Sequence, residues 1–133
     1  MQPRLIEGLW LPLVTPFRDG ALDERSLRRI ARHYLGQPVD GMILAATTGE
    51  GLTIDEDEAE RLTATVATEA AGRIPVFLGL SGSDTRKVAK ALAHTASWPV
   101  DGYLIACPYY TRPSQAASIT TSRRSPGKPR GRS

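Results

Sequence analysis

Four short apolar runs alternate with amphipathic stretches along the first 115 residues. The runs occupy residues 9–14, 41–46, 75–80 and 102–106, and turn-forming residues bound them. Because apolar residues follow one another here instead of alternating with polar ones, each run predicts a strand that is buried on both faces. The runs start 32, 34 and 27 residues apart, which leaves room for one helix between consecutive strands.

The stretches between the runs carry the periodicity and the start signals of helices. Apolar residues recur three and four positions apart after Asp23, and Asp84 is a candidate N-cap for the third stretch. Asp55 is followed three residues later by Glu58, which resembles a capping box with Asp in place of Ser or Thr. Acids at this position suit the positive end of a helix dipole, so a helix start explains them better than a metal site does. The predicted helices span about 23–35, 55–71 and 85–97.

The order strand, helix, strand is the rhythm of a parallel sheet. A doubly wound sheet and an eight-stranded barrel both fit this rhythm, and the apolar pattern does not separate them. An internal repeat marks two of the strands as equivalent. Residues 38–45 read PVDGMILA and residues 99–106 read PVDGYLIA, two strand–helix units further along the chain.

The loops that follow the strands are the expected place for chemistry, because the carboxyl ends of parallel strands meet at one edge of a sheet. These loops begin at residues 15–17 (TPF), 47–51 (TTGEG), 81–83 (SGS) and 107–110 (CPYY). Threonine hydroxyls and backbone N–H groups beside a glycine make a small cradle suited to a carboxylate. A phenol next to a threonine can pass a proton. The residues alone therefore predict a parallel α/β scaffold that binds a small anion.

The net charge of +3 does not describe the part of the chain that is expected to fold. Five of the 17 basic residues and none of the 14 acidic ones lie in 116–133, so residues 1–115 hold 12 bases and carry a net charge of −2. The last 18 residues contain one large apolar residue, Ile119, among Ser, Arg, Pro and Gly. This composition predicts a disordered basic tail. Because the tail has no aromatic residue to stack on bases, no specific nucleic-acid partner is expected.

Several classes of protein lack support in the sequence. No window approaches the roughly 18 apolar residues of a membrane helix, and the first twenty residues lack a secretory h-region. Neither a dinucleotide-binding nor a P-loop motif is present, and His33 and His94 lie in predicted helices without metal-ligand spacing. We therefore expect no cofactor, no metal and no membrane association. The single cysteine, Cys107, is expected to be a buried thiol in a cytoplasmic protein.

Three segments together resemble a known family. LPLVTPF ends the first predicted strand, TTGE follows the second at residues 47–50, and CPYYTRPSQ occupies residues 107–115. In this order and at these intervals they resemble the dihydrodipicolinate synthase (4-hydroxy-tetrahydrodipicolinate synthase) family of the N-acetylneuraminate lyase superfamily. The resemblance covers about residues 5–115. The Thr-Thr pair and the Y-x-R-P-S-Q segment favour the synthase over the sialic-acid lyase.

The resemblance implies a (β/α)8 TIM barrel, of which residues 1–115 would form the first four βα units. It also implies that pyruvate, held as a Schiff base on a lysine, condenses with aspartate semialdehyde in lysine and diaminopimelate biosynthesis. Thr48, together with Gly49, would hold the pyruvate carboxylate, and Thr47 would be the middle member of a Tyr–Thr–Tyr proton relay. Tyr110 would enter the neighbouring subunit's site across a tight dimer, within a homotetramer that is a dimer of dimers.

The sequence departs from the family most strongly after Gln115. The family continues there with Glu-Gly and another helix, whereas this chain continues with the basic segment. The family's Schiff-base lysine, its second relay tyrosine and the arginine that receives the second substrate also lie beyond this point. Lys87 and Lys90 on the third predicted helix and Lys128 in the tail cannot replace that lysine. We therefore expect a truncated or frame-shifted member that is inactive alone.

Two alternatives remain open from the sequence. The residues that select the second substrate lie mostly beyond residue 115 in the family, so another pyruvate-dependent lyase or aldolase of the superfamily also fits. A non-catalytic half-barrel that assembles with other chains fits as well, because four of eight strands leave two unpaired sheet edges.

Overall fold

A computed structural model describes residues 6–117 of the 133-residue chain. The strands of this part are β1 (Trp10–Pro12), β2 (Phe17–Arg18), β3 (Ala21–Leu22), β4 (Gly41–Leu44), β5 (Val76–Gly79) and β6 (Gly102–Leu104). Its α-helices are α1 (Glu24–Leu35), α2 (Glu56–Ala70) and α3 (Thr85–His94), and short 3-10 helices span Gly51–Thr53 and Thr95–Ser97. The predicted basic tail at 116–133 lies outside the described residues, except for Ala116 and Ala117 in a helical turn that begins at Gln115.

The four strands predicted from the apolar runs form one parallel sheet. Its order is β1, β4, β5 and β6, which is also their order along the chain, and one helix connects each neighbouring pair. A doubly wound sheet reverses its strand order at a switch point, whereas a barrel adds each strand beside the previous one. Within residues 6–117 the order does not reverse, so the topology favours the barrel.

A small hairpin between the first strand and the first helix was not predicted. β2 and β3 pair antiparallel through a turn at Asp19 and Gly20, whose φ angles are 52° and 78°. Two consecutive left-handed residues suit the twist of a tight hairpin, and Asp-Gly is a typical sequence for this turn. The signal was therefore present in the sequence, beside a more conspicuous helix start.

Acidic side chains cap all three helices, and the caps at Asp55 and Asp84 were predicted. The Asp23 carboxylate accepts hydrogen bonds from the Ser26 backbone N–H (3.1 Å) and hydroxyl (2.7 Å). Asp55 and Glu58 form the complete capping box, with distances of 2.8 and 3.2 Å. Asp84 accepts the Arg86 N–H at 2.9 Å. These bonds satisfy N–H groups that have no partner within a helix, so they define where each helix begins.

The two faces of the parallel sheet differ in burial. One face is covered: Met42, Leu44 and Leu78 are at most 1% exposed and belong to the core with Leu27 of α1 and Leu62 of α2. The alternate positions form the opposite face, and they are less buried, with Leu104 46% exposed. These alternate side chains, which are Trp10, Pro12, Ile43, Phe77 and Leu104, would point into the interior of a closed barrel.

The repeated PVDG sequence has a structural explanation in its aspartates. The Asp40 carboxylate accepts the Leu9 backbone N–H at 2.6 Å, and the Asp101 carboxylate accepts the Val76 N–H at 2.9 Å. In both copies the aspartate precedes a strand and binds the backbone at the start of the neighbouring strand. Each aspartate therefore fixes the register of two parallel strands at the edge opposite the candidate loops.

The glycines of the repeat accommodate aromatic rings. Gly41 lies opposite Trp10 and Gly102 opposite Phe77 in the sheet register. A Cβ on Gly102 would lie 2.7 Å from the Phe77 ring, and one on Gly41 would overlap the Trp10 ring. The two rings contact each other edge to face, with centroids 4.7 Å apart. The glycines are therefore required because an aromatic ring of the adjacent strand occupies the side-chain space.

We predict that Asp101→Ala lowers the free energy of unfolding by about 1 kcal/mol, because the Val76 N–H loses a charged acceptor. Asp101→Asn retains an oxygen acceptor in the same place and is expected to keep most of that stability. Urea unfolding monitored by circular dichroism measures both variants. Equal losses in the two variants would contradict a hydrogen-bonding role for this side chain.

Ion pairs join α1 to α2 on the outside of the sheet. Arg32 donates two hydrogen bonds to the Glu69 carboxylate, at 2.8 and 3.0 Å, and Arg61 donates to Glu24 at 2.7 Å. Hydrogen bonding from Arg32 lowers the pKa of Glu69 below its ordinary value of 4.5 and raises the pKa of Arg32. The bidentate pair therefore favours the ionised form of Glu69 in the folded protein.

The pair gives a pH-dependent contribution to stability. Since folding lowers the pKa of Glu69, its contribution is fully present above the unfolded value and is lost as the pH falls through the folded value. We expect Glu69→Gln to lower Tm at pH 7 and to approach the wild type as the pH falls through the folded pKa of Glu69. Glu60→Gln, at an exposed glutamate of the same helix, is the control. A Tm difference for Glu69→Gln that stays constant with pH would contradict the prediction.

Candidate functional site

The loops predicted to carry chemistry lie at one edge of the parallel sheet. Thr15 follows β1, residues 47–51 follow β4, residues 81–83 follow β5 and residues 107–110 follow β6. Because the four strands run parallel, their carboxyl ends meet at this edge. Hydrogen bonds join the loop after β1 to the loop after β4, and the loop after β5 to the loop after β6.

The loop after β4 is a compact turn with two left-handed residues. Ala45 has a φ of 53° and Glu50 a φ of 57°, a region that side chains other than glycine adopt at a cost. The Glu50 N–H donates to the Thr47 carbonyl at 3.1 Å, and the Gly51 N–H donates to the Ala46 carbonyl at the same distance. Thr47 and Thr48 are exposed within this turn. Their hydroxyls are therefore accessible to a ligand at the sheet edge.

Three glycines pack closely around the backbone of Ala45. A Cβ on Gly49 would lie 2.8 Å from the Leu13 carbonyl oxygen and 3.1 Å from the Ala45 nitrogen. On Gly79 of β5 it would lie 2.6 Å from the Ala45 carbonyl oxygen, and on Gly51 it would overlap that oxygen. Each of the three positions therefore requires glycine because backbone atoms, which cannot rotate away, occupy the space.

Thr15 links the end of β1 to this turn. Its side chain is 6% exposed, and its hydroxyl donates to the Gly49 carbonyl at 2.7 Å. Gly49 is itself buried. The first two loops are thus joined by a short buried hydrogen bond between residues 34 positions apart.

Serines of the loop after β5 hold the loop after β6. The Ser81 hydroxyl accepts the Ala106 N–H at 3.0 Å, and the Ser83 hydroxyl donates to the Tyr109 carbonyl at 2.6 Å. The next residue, Tyr110, has a φ of 67° and is 96% exposed. Its phenol therefore has almost no contact with the described part of its own chain. The sequence placed both serines at this edge, but gave no sign that they anchor the tyrosine loop.

The expectation that Cys107 is a buried thiol was wrong. The cysteine is exposed because it follows the end of β6, where the chain leaves the sheet. Among residues 6–117, no group of three or more His, Cys, Asp or Glu side chains could hold a metal ion. Within the same residues, no helix is long and apolar enough to cross a membrane. Lys87 and Lys90 are exposed on α3.

We predict that Gly49→Ala lowers the free energy of unfolding by about 2 kcal/mol, because the new methyl group meets backbone atoms on two sides. Gly36→Ala is the matched control. Gly36 ends α1 at a φ of −81°, and a Cβ there would come no closer than 3.4 Å to another atom. Chemical denaturation measures both variants. Similar stability of the two variants would contradict the close packing at Gly49.

Comparison with known proteins relates the whole described region to one protein family. The profile of the Dihydrodipicolinate synthetase family matches residues 5–120. The 4-hydroxy-tetrahydrodipicolinate synthase of Pelobacter propionicus is 38% identical over 111 residues, which are 84% of this chain and 38% of that protein. The protein of the same name from Methylobacterium radiotolerans is 36% identical over 111 residues, 84% of this chain and 37% of its own length.

Solved structures agree with the sequence comparison. The dihydrodipicolinate synthase of Thermotoga maritima superposes with a TM-score of 0.86 at 33% identity, over 89% of this chain and 40% of that one. The 4-hydroxy-tetrahydrodipicolinate synthase of Methylacidiphilum fumariolicum also gives 0.86, at 29% identity, over 91% and 40% of the two chains.

The fold is therefore α/β, the first four βα units of a TIM barrel, with its loops gathered at the carboxyl end of the strands. The chain belongs to the dihydrodipicolinate synthetase family. It spans about 38% of the length of the curated relatives that it matches.

Proposed function

We propose that this chain supplies the pyruvate-binding half of a 4-hydroxy-tetrahydrodipicolinate synthase site. The observation that carries the proposal is the turn at residues 47–50, which presents two exposed threonines beside a buried glycine at the carboxyl edge of a barrel sheet. Hydroxyl and N–H donors grouped in this way suit a carboxylate, because each oxygen can accept more than one hydrogen bond. Thr48 and Gly49 bind the pyruvate carboxylate in this proposal.

Thr47 and Tyr110 are the proton-transfer groups of the proposed site. Thr47 is exposed beside Thr48, where its hydroxyl can accept and donate a proton at once. Tyr110 is 96% exposed at the same edge and is available to a second subunit. We propose that it completes the relay of a neighbouring copy across a tight dimer, within a homotetramer. This arrangement accounts for a large aromatic residue that is held in a left-handed conformation with its ring in solvent.

The proposed reaction joins pyruvate, as a Schiff base on a lysine, to aspartate semialdehyde in cytoplasmic lysine and diaminopimelate biosynthesis. The 133-residue chain contains three lysines, of which Lys87 and Lys90 lie on α3 outside the turn segment and Lys128 lies outside the described residues. The chain as it stands therefore supplies binding and relay groups without the covalent group, and we propose that it is inactive alone. We propose aspartate semialdehyde as the second substrate from the family resemblance, because the family's residues that recognise this substrate lie mostly beyond residue 115.

We expect pyruvate to cause saturable shifts of the amide resonances of Thr47, Thr48 and Gly49 in a ¹H–¹⁵N titration of the chain. Thr48→Val is expected to weaken the binding about tenfold, since one donor to the carboxylate is lost. Thr68→Val, which removes an exposed hydroxyl on α2, is the control. Methyl pyruvate keeps the ketone without the carboxylate and is expected to leave these resonances unshifted.

Equal responses to pyruvate and methyl pyruvate would contradict a carboxylate cradle. The same sample tests the covalent chemistry. Treatment with pyruvate and borohydride is expected to leave every lysine of the chain unmodified, and a reduced adduct that peptide mapping places on a lysine would show that this lysine forms the Schiff base.

A further inference from the structure

We propose that Thr15 is a positioning residue that fixes the shape of the pyruvate-binding turn through one peptide unit. The inference rests on the proposed function for the identity of the ligand, but its geometry does not depend on it. Thr15 does not belong to the turn; it follows β1, and its hydroxyl donates a hydrogen bond to the turn. Its side chain is among the few buried polar groups of the described residues, at 6% exposure.

The peptide unit between Gly49 and Glu50 is held at both ends. Its carbonyl oxygen accepts the Thr15 hydroxyl at 2.7 Å, and its N–H, which belongs to Glu50, donates to the Thr47 carbonyl at 3.1 Å. Because a peptide unit is planar, a bond that fixes the direction of its C=O also fixes the direction of its N–H. The Thr15 hydroxyl therefore orients the N–H that closes the turn around Thr47 and Thr48.

This peptide unit also precedes the left-handed Glu50, which has a φ of 57°. A residue in that conformation is held there by its surroundings, since an isolated chain would leave it. Gly49 is buried, so its carbonyl oxygen would lose its only close hydroxyl donor among the described residues without Thr15. A buried acceptor without a donor favours rotation of the peptide toward water, and this rotation would open the turn.

The position of Thr15 is itself fixed by the sheet. The Leu13 N–H donates to the Ile43 carbonyl at 2.9 Å, so the end of β1 is bound to β4 two residues before Thr15. The Leu13 carbonyl also borders Gly49. The bond between β1 and β4 thus fixes the position from which the Thr15 hydroxyl binds the turn at residues 47–50.

The experiment compares Thr15→Val, which keeps the shape and removes the donor, with Thr15→Ser, which keeps the donor. Thr63→Val is the matched control, because Thr63 is 0% exposed and its hydroxyl also donates to a backbone carbonyl at 2.7 Å, but within α2. Amide hydrogen exchange of Glu50 reports directly on the N–H in question. Pyruvate affinity, from the titration described above, is the second measurement.

We expect Glu50 exchange to rise at least tenfold in Thr15→Val relative to the core amides of β5, and pyruvate affinity to fall about tenfold. Thr15→Ser and Thr63→Val are expected to keep both values within about twofold of wild type. Thr15→Cys, a weaker donor, is expected to fall between Ser and Val, and the Ser–Cys comparison decides the matter if the Val variant does not fold.

Unchanged Glu50 exchange in Thr15→Val, or an equal rise in Thr63→Val, would overturn the positioning role whatever pyruvate does. A local rise of Glu50 exchange that serine prevents supports it, even if the wild-type chain binds no pyruvate. In that last case the proposed function fails and the role of Thr15 in the turn stands, so the two outcomes are distinguishable.

Discussion

The candidate site depends on how closely three backbone segments pack around Ala45. Gly49, Gly51 and Gly79 all approach this residue so closely that none of them could carry a side chain. Close packing of backbone on backbone leaves little freedom, because main-chain atoms cannot move aside by changing a rotamer. The path of the chain after β4 is therefore restricted, and this restriction accounts for the left-handed conformations of Ala45 and Glu50. This packing therefore positions the exposed Thr47 and Thr48.

The two edges of the sheet have different tasks. At the starts of the strands, Asp40 and Asp101 bind backbone N–H groups of neighbouring strands and set the register. At the carboxyl ends, Thr15, Ser81 and Ser83 bind neighbouring loops and leave other side chains exposed. Rigid strands between the two edges transmit the register from one to the other. The positions of the loops at the carboxyl edge thus depend on hydrogen bonds at the opposite edge. This suits a fold whose functional residues lie in loops.

Local features of the sequence were sufficient to predict the four parallel strands and the three α-helices, but not which distant residues would contact one another. The N-caps at Asp23, Asp55 and Asp84 were predictable because each acts on a backbone N–H two or three residues away. The threonine pair could be placed at the loop edge from the strand order alone. The hydrogen bond of Thr15 could not be predicted, because its acceptor lies 34 residues further along the chain and is a backbone carbonyl, which every residue type has.

The left-handed conformation of Ala45 was also beyond prediction, because alanine gives no local sign of it. The PVDG repeat was apparent in the sequence, but the roles of its aspartate and glycine could be assigned only from the register of the strands. The direct contacts that pair Asp101 with Val76 and Gly102 with Phe77 span about 25 residues and depend on which strands are neighbours. The aromatic rings above the two glycines restrict substitution at both members of each pair. Since Trp10 and Gly41 share the space of one side chain, as do Phe77 and Gly102, a side chain added at either glycine requires a smaller residue at its aromatic partner.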